Sequence, residues 1–103
     1  MKTVFIPNYK NYDVSDAEHF GKLVFVTEGI VDISNLTNLA SAIVSKLKQA
    51  KEDDYLVIIG APIVNAICFT YLMGLFGRVN MLLFDARTRR YCVRTISEQE
   101  VMI

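Results

Sequence analysis

The sequence predicts an α/β fold with a mixed, mostly parallel sheet, and two stretches of the chain carry this prediction. The apolar run at residues 56–59 leads through a Gly-Ala-Pro turn into a long apolar segment and then into a second apolar run, residues 79–84. Strand, turn, helix and strand in this order form a βαβ unit, whose strands run parallel. Another strand at residues 91–96 follows a polar turn and predicts a C-terminal β-hairpin. Because 103 residues are enough for one core, we predict a single Rossmann-like domain over residues 1–103.

The amino-terminal third contains two short predicted strands. Both are rich in β-branched and aromatic residues and end at turn-forming residues. They are residues 3–6, stopping at Pro7-Asn8, and residues 22–27, stopping at Glu28-Gly29. Between them, residues 8–21 read as a polar loop. Ser15 and Glu18 have the spacing of a capping box, which predicts one helical turn with Ser15 as its N-cap.

Two helices of different character are predicted. The first has apolar residues on one face only, at intervals of three and four: Leu36, Leu39, Ala40, Ile43, Val44 and Leu47. Its N-cap is Asp32 or Ser34. The second begins at Pro62, stops at Gly77 and is apolar on nearly every side. A small sheet covers only one side of such a helix, so we expect a homodimer through helix 62–76.

Composition argues against several classes of protein and partner. The formal net charge is zero, so duplex nucleic acid is not expected as a partner. Cys68 and Cys92 form no CxxC pair, and His19 is the only histidine, so we expect reduced thiols, no metal and no cofactor. The longest apolar run, residues 61–77, is shorter than the roughly 20 residues that span a bilayer. With no signal peptide visible, we expect a cytoplasmic protein without a membrane partner.

Candidate site residues follow from the rule that ligands bind beyond the carboxyl ends of parallel strands. If the first two strands run parallel to the others, the candidate ligand-binding residues share one edge: Asn8, Gly60, Ala61, Asn65 and Arg87. The Gly60 turn precedes a helix whose free N–H groups attract phosphate. A tight turn without a ligand explains Gly60 equally well, and Asn65 serves either a ligand or buried backbone groups.

Asp85 and Arg87 are the candidate catalytic pair. Between Arg78 and Arg94 the chain has five arginines against one acid, which favours an anionic ligand. Arg87 would then stabilise phosphate charge, and Asp85 would align a ribose hydroxyl. In the competing interpretation both residues only form the hairpin turn.

Residues 54–63, the apolar helix with Cys68, and the turn Asp85-Ala86-Arg87 together resemble the small CRISPR-associated ring nucleases of type III systems. The resemblance covers residues 54–96. It implies a Rossmann-like dimer that binds a cyclic oligoadenylate, with Asp85 and Arg87 near the cleavage site. The chain has Leu75-Phe76-Gly77-Arg78 where that family carries histidines, which leaves binding without turnover as an equal expectation.

Two functional hypotheses result. The first is that the protein binds a phosphate-bearing nucleotide, with a cyclic oligoadenylate as the candidate ligand, and does so with or without cleaving it. It requires that the backbone amides after Ile59 and the Arg87 guanidinium share one concave pocket. The alternative is a structural or protein-interaction module, viral or accessory, without small-molecule activity. A third, weaker interpretation assigns the arginine-rich hairpin and Tyr91 to nucleic-acid binding.

Overall fold

The computed structural model describes residues 1–9 and 13–101 of the chain. The elements in chain order are β1 (Thr3–Tyr9), a 3₁₀ helix (Ser15–Phe20), β2 (Lys22–Glu28), α1 (Leu36–Leu47), β3 (Tyr55–Val57), α2 (Pro62–Phe76), β4 (Arg78–Asp85), β5 (Arg90–Ser97) and α3 (Glu98–Val101). Residues 10–12, which belong to the predicted polar loop, and residues 102–103 lie outside the described residues.

The five strands form one sheet in the order β2-β1-β3-β4-β5. The first four strands in this order are parallel, and β5 pairs antiparallel with β4. The predicted fold class, a mixed and mostly parallel α/β sheet with a C-terminal hairpin, is confirmed. β1 and β2 run parallel to β3, which is the condition under which the candidate site residues share one edge. Chain direction across the sheet reverses at β1, which places the topological switch point between β1 and β3.

The helices cover the sheet unequally. The connections from β2 to β3 and from β3 to β4 cross the sheet in the same direction, so right-handed crossovers place α1 and α2 on one face. Phe5, Leu56 and Met81 pack there with α1 and α2 in one buried cluster. The opposite face, with Val4, Ile6, Val57, Leu82 and Tyr91, packs against Ala17 of the 3₁₀ helix. Among the described elements, the short 3₁₀ helix is thus the one that covers this second face.

Two strands end more than one residue away from the predicted position. β1 continues through Pro7 to Tyr9 instead of stopping at Pro7. The pairing of β1 with β3 covers only Val4 and Phe5, so the N–H that proline lacks is not needed in that ladder. β3 ends at Val57, two residues earlier than predicted, and is the central strand of the sheet.

Helix caps also differ from the prediction. Asn35, and neither Asp32 nor Ser34, is the N-cap of α1, and its side chain accepts the Asn38 N–H. Asp32 instead accepts the Ser34 N–H and hydroxyl. The predicted helical turn forms as the 3₁₀ helix, but the predicted capping box does not form. The Asp13 carboxylate instead accepts hydrogen bonds from the N–H and the hydroxyl of Ser15. These short polar residues stand next to one another, so spacing alone cannot choose among them.

Helix α2 begins and ends as predicted, with Pro62 in its first turn and Gly77 after its last residue. Gly77 has φ 71°, and its N–H donates to the Met73 carbonyl at 2.8 Å. Only Val64, Cys68 and Leu72 of this helix are fully or almost fully buried. Within residues 1–9 and 13–101, no helix has the length and apolarity needed to cross a membrane.

Candidate functional site

Four parallel strands end at the same edge of the sheet, which we call the carboxyl edge. The strand order places the end of β1, the turn after β3 and the β4–β5 hairpin side by side along it. All predicted site residues therefore lie on or next to this edge: Asn8 at the end of β1, Gly60, Ala61 and Asn65 around the start of α2, and Asp85 and Arg87 at the hairpin. Their individual contacts determine what the edge can do.

Asn8 joins the ends of β1 and β2. Its side chain is almost completely buried; Nδ2 donates to the Gly29 carbonyl at 3.0 Å, and Oδ1 accepts from the Thr27 hydroxyl at 3.0 Å. The same hydroxyl also contacts the Pro7 carbonyl at 2.7 Å. Both polar groups of Asn8 are thus used within the fold, which gives this residue a structural role in holding the two strand ends together.

The turn from β3 into α2 is organised by Asn65. Its Nδ2 lies 3.0 Å from the Ile59 carbonyl, 3.3 Å from that of Gly60 and 2.9 Å from that of Ala61. Gly60 has φ 71°, the left-handed conformation that glycine accommodates in a turn. Among the described residues, the buried Oδ1 of Asn65 has no hydrogen-bond partner. The side chain thus supports the backbone of its own turn, one of the two roles that the sequence left open.

Asp85 and Arg87 form the hairpin turn. The Asp85 carboxylate accepts the Arg87 N–H at 2.9 Å and lies 3.4 Å from Arg87 Nε, while the Asp85 carbonyl accepts the Arg89 N–H at 2.7 Å. Arg89 adopts the left-handed conformation, with φ 58°. The Arg87 side chain is 92% exposed. These contacts are those of a turn with a solvated arginine.

The hairpin borders a cavity of about 460 Å³ that the sequence does not predict. Its lining residues come from the segment before β2 and from the hairpin: Asp13, Ser15, Asp16, Phe84, Ala86 and Arg89. Neither Gly60 nor Arg87 is among these lining residues. The structure thus brings the predicted residues to one edge but does not place the Gly60 amides and the Arg87 guanidinium in this cavity.

Tyr91 contacts two residues that line this cavity, Asp16 and Phe84. Its backbone N–H donates to the Asp16 carboxylate at 2.9 Å, across 75 positions of sequence. Burial raises the pKa of the Tyr91 hydroxyl, and the charges of Asp13 and Asp16 raise it further. Among the described residues this buried hydroxyl has no hydrogen-bond partner. No periodicity or motif relates Asp16 to Tyr91, so the sequence contains no signal for this contact.

Reactive and metal-binding groups are sparse. In residues 1–9 and 13–101, no three His, Cys, Asp or Glu side chains are grouped so that they could hold a metal ion. Burial raises the pKa of the Cys68 thiol to about 12, which keeps it protonated and unreactive. His19 lies 3.6 Å from Asp16, with its side chain 77% exposed.

Comparison with known proteins gives one family that matches most of the chain. The family described as Phage Pam3 gp32-like protein matches residues 2–97. The chain belongs to this family. Comparisons with curated proteins and with solved structures give no match. The Phage Pam3 gp32-like family covers both the βαβ unit and the amino-terminal strands, whereas the ring-nuclease resemblance covered residues 54–96 only.

The resemblance to CRISPR-associated ring nucleases is therefore wrong, and the cyclic oligoadenylate expected from it has no remaining support. A strand, glycine turn, helix and strand recur in many unrelated α/β proteins, so this local pattern indicates a fold but not a ligand. Neither the family nor the contacts of the described site residues supports nucleotide binding. A phage structural or accessory module fits these findings better.

Proposed function

We propose that this chain is a structural or accessory component of a phage that acts through protein–protein contacts, and that copies of it associate through α2. The observation that carries the proposal is the chemistry of α2 on its exposed side. Between Pro62 and Phe76 the sequence contains no charged residue. Exposed helix faces of single proteins are normally charged or polar, and an apolar one is typical of an interface.

The contact surface, here called the α2 face, consists of Ala66, Ile67, Thr70, Tyr71 and Gly74. Ala66, Thr70 and Gly74 are exposed, while Ile67 and Tyr71 are half-buried. Together with Val44 of α1, most of this face lines an open apolar groove of about 350 Å³. A groove of this kind accepts side chains of a facing helix.

Gly74 supports a close contact at this face. A glycine inside a helix costs about 1 kcal/mol relative to alanine, so its presence needs a reason. The part of the chain that the structure describes provides none, since a Cβ at Gly74 would meet no atom of it within 4 Å. Ala66, Thr70 and Gly74 follow one another at intervals of four and form one line of small side chains. Such a line lets a second helix approach closely, which would account for the glycine.

A second copy is the partner that this surface fits. Two α2 faces related by a two-fold axis present the same apolar groove to each other, so every contact occurs twice. The face carries no charge that would repel its copy. The resulting contact would bury the apolar side of α2 that the sheet leaves uncovered.

The test is the molar mass of the purified chain by light scattering and sedimentation velocity, at about 50 µM, a concentration at which a micromolar complex is largely formed. We expect an oligomer, and we expect Thr70→Glu to lower its mass because the variant buries an unpaired charge at the contact. Ser45→Glu, an equivalent exchange at an exposed position of α1, serves as the control and should leave the mass unchanged. A monomeric wild type, or a Thr70→Glu protein with wild-type mass, would refute the proposal.

A further inference from the structure

We infer that β2 is a second self-association site, at which it pairs antiparallel with β2 of another copy to form one continuous sheet. This site is separate from the α2 face and extends the proposed function. The inference starts from the position of β2 at the outer end of the sheet order, where β1 is its one neighbour among the described strands. An edge strand presents unpaired N–H and C=O groups that can accept another strand.

The backbone hydrogen bonds indicate which groups of β2 are open. The Lys22 N–H donates to the Lys2 carbonyl at 3.0 Å, so the backbone groups of Lys22 point toward β1. Backbone groups alternate in direction along a strand, so the N–H and C=O of Leu23 and Phe25 point away from the sheet. These outward groups are at the middle of β2, where an added strand would pair with them.

The two edges of the sheet differ in how they are protected. The opposite edge strand, β5, carries Arg94 near its middle, and the Arg94 guanidinium donates to the Val93 carbonyl at 2.7 Å. A central charge of this kind discourages another strand from pairing. β2 has the sequence Lys-Leu-Val-Phe-Val-Thr-Glu, with no proline, no glycine and no charge between its first and last residues. Only the β5 edge has a charged residue near its middle.

The sequence of β2 is complementary to itself when two copies run antiparallel. With the two-fold axis at Phe25, Lys22 of each copy lies opposite Glu28 of the other, and Val24 lies opposite Val26. The Phe25 residues face each other and can exchange two backbone hydrogen bonds. Opposite charges directly across two antiparallel strands stabilise the pair, and like charges destabilise it. In a parallel arrangement in register the two Lys22 side chains would instead be neighbours.

The sheet face beside β2 provides a second, independent argument. Parallel sheets normally have both faces covered, yet here the 3₁₀ helix covers only part of one face. Leu23 and Phe25 remain half-buried on it, and Tyr9, 57% exposed, contacts the Phe25 ring edge-on at 4.9 Å between centroids. Leu23 and Phe25 border an open groove of about 710 Å³ that reaches the β2 edge at Lys22. A second copy paired at β2 would bring its own Phe25 and Leu23 next to this apolar surface.

The experiment is a charge exchange in a Thr70→Glu background, which removes the α2 contact. We expect this background protein to form dimers in sedimentation velocity. Lys22→Glu or Glu28→Lys alone should raise the dissociation constant roughly tenfold, because each variant places like charges opposite each other twice per dimer. The double exchange, Lys22→Glu with Glu28→Lys, restores opposite charges and should restore the wild-type constant. Phe25→Lys, a central charge like that of Arg94 in β5, should give monomers.

The outcomes separate the two contacts. The β2 pairing is refuted if the Thr70→Glu protein is monomeric at about 50 µM, or if the double exchange associates no better than either single variant. If Lys22→Glu or Glu28→Lys lowers the molar mass of the oligomer in the wild-type background and Thr70→Glu does not, the α2 contact is refuted and the β2 contact stands. High salt should weaken the dimer of the Thr70→Glu protein, whose β2 is unchanged, because salt screens the ion pairs between Lys22 and Glu28. The same salt should leave the Phe25→Lys protein monomeric.

Discussion

Three polar residues at the carboxyl edge bond to main-chain groups close to them. Asn8 holds β1 to β2, Asn65 gathers three carbonyls of one turn, and Asp85 organises the hairpin. The sequence places these residues at strand ends because turn-forming residues interrupt apolar runs there. It cannot give their hydrogen-bond partners, since these depend on where other segments of the chain end. The same residue types in the same order serve a ligand in one protein and the backbone in another.

Asn65→Asp is expected to destabilise the fold. An ionised carboxylate cannot donate, so the Asn65 contact with the carbonyls of Ile59, Gly60 and Ala61 is replaced by repulsion. Loss of a buried hydrogen-bond donor costs about 1–3 kcal/mol, whereas a negative charge in the first turns of α2 recovers only about 0.3–1 kcal/mol. The free energy of unfolding in urea should therefore fall by roughly 1–2 kcal/mol at neutral pH.

The pH dependence of this variant has a defined sign. Folding raises the pKa of the introduced carboxyl, so its penalty is complete above the folded-state pKa and disappears below the unfolded-state value of about 3.9. The deficit relative to the wild type should thus shrink as the pH falls toward 3. Asn38→Asp, the same exchange in the first turn of α1 where the side chain is exposed, should show no loss. An equal effect at both positions would contradict the role of Asn65.

At the scale of elements, apolar patterning predicts the strands and helices well, and their ends less well. α2 is predicted at both ends because Pro62 and Gly77 each have a strong preference for one helix terminus. The N-cap of α1 is not predicted correctly, because Asp32, Ser34 and Asn35 are all good caps and only the path of the chain decides among them. β1 passes through Pro7 because β3 is short, a fact of pairing that the sequence of β1 does not contain.

The start of β2 depends on a close backbone approach at Gly21. A Cβ on Gly21 would overlap the Lys2 carbonyl oxygen and lie 2.8 Å from the Lys2 carbonyl carbon. That oxygen accepts the Lys22 N–H, the first hydrogen bond between β1 and β2. Gly21→Ala should consequently lower the free energy of unfolding by about 1–3 kcal/mol, the usual cost of forcing extra atoms into a packed site.

Hydrogen exchange is the second measurement for this variant. The Lys22 amide should exchange faster in Gly21→Ala than in the wild type, since its bond to Lys2 is displaced. Amides of α2, which packs on the face of the sheet opposite the 3₁₀ helix that precedes Gly21, should keep their order of protection. Unchanged stability together with an unchanged Lys22 amide would show that the backbone can move aside without cost.

At the scale of the whole molecule, the sequence predicts the fold class and misleads about the family. The fold class follows from hydrophobic periodicity, which is present along the whole chain. The ring-nuclease resemblance rests on one βαβ unit, and that unit is common to many proteins because it is a stable way to cover a parallel sheet. Asp85 and Arg87 contributed to the error, since a turn and an anion site favour the same residue types.

Gly74→Ala connects the stability of one copy with the contact between copies. Within a single copy the added methyl group meets open space, so helix propensity should raise the free energy of unfolding by about 0.8–1.0 kcal/mol. At the α2 face the same methyl group would separate the two helices. We therefore expect a more stable chain that associates less tightly, measured by urea unfolding at low concentration and by sedimentation at high concentration.

The combination of the two measurements is the informative result. Gly21→Ala is the matched comparison, since the same added methyl group meets backbone atoms at Gly21 and nothing at Gly74. A Gly74→Ala protein that gains stability and associates as well as the wild type would place Gly74 outside the contact. A protein that loses stability would show that its helix needs the glycine for another reason.

The sheet order has a geometric consequence for assembly. β2 lies at one rim of the sheet and α2 on one of its broad sides, so pairing at one surface leaves the other free for a different copy. Each chain then has two distinct two-fold neighbours. If the two axes cross at right angles, the assembly closes as a tetramer; if the axes do not cross at all, alternating contacts continue into an open strip whose length depends only on the supply of chains.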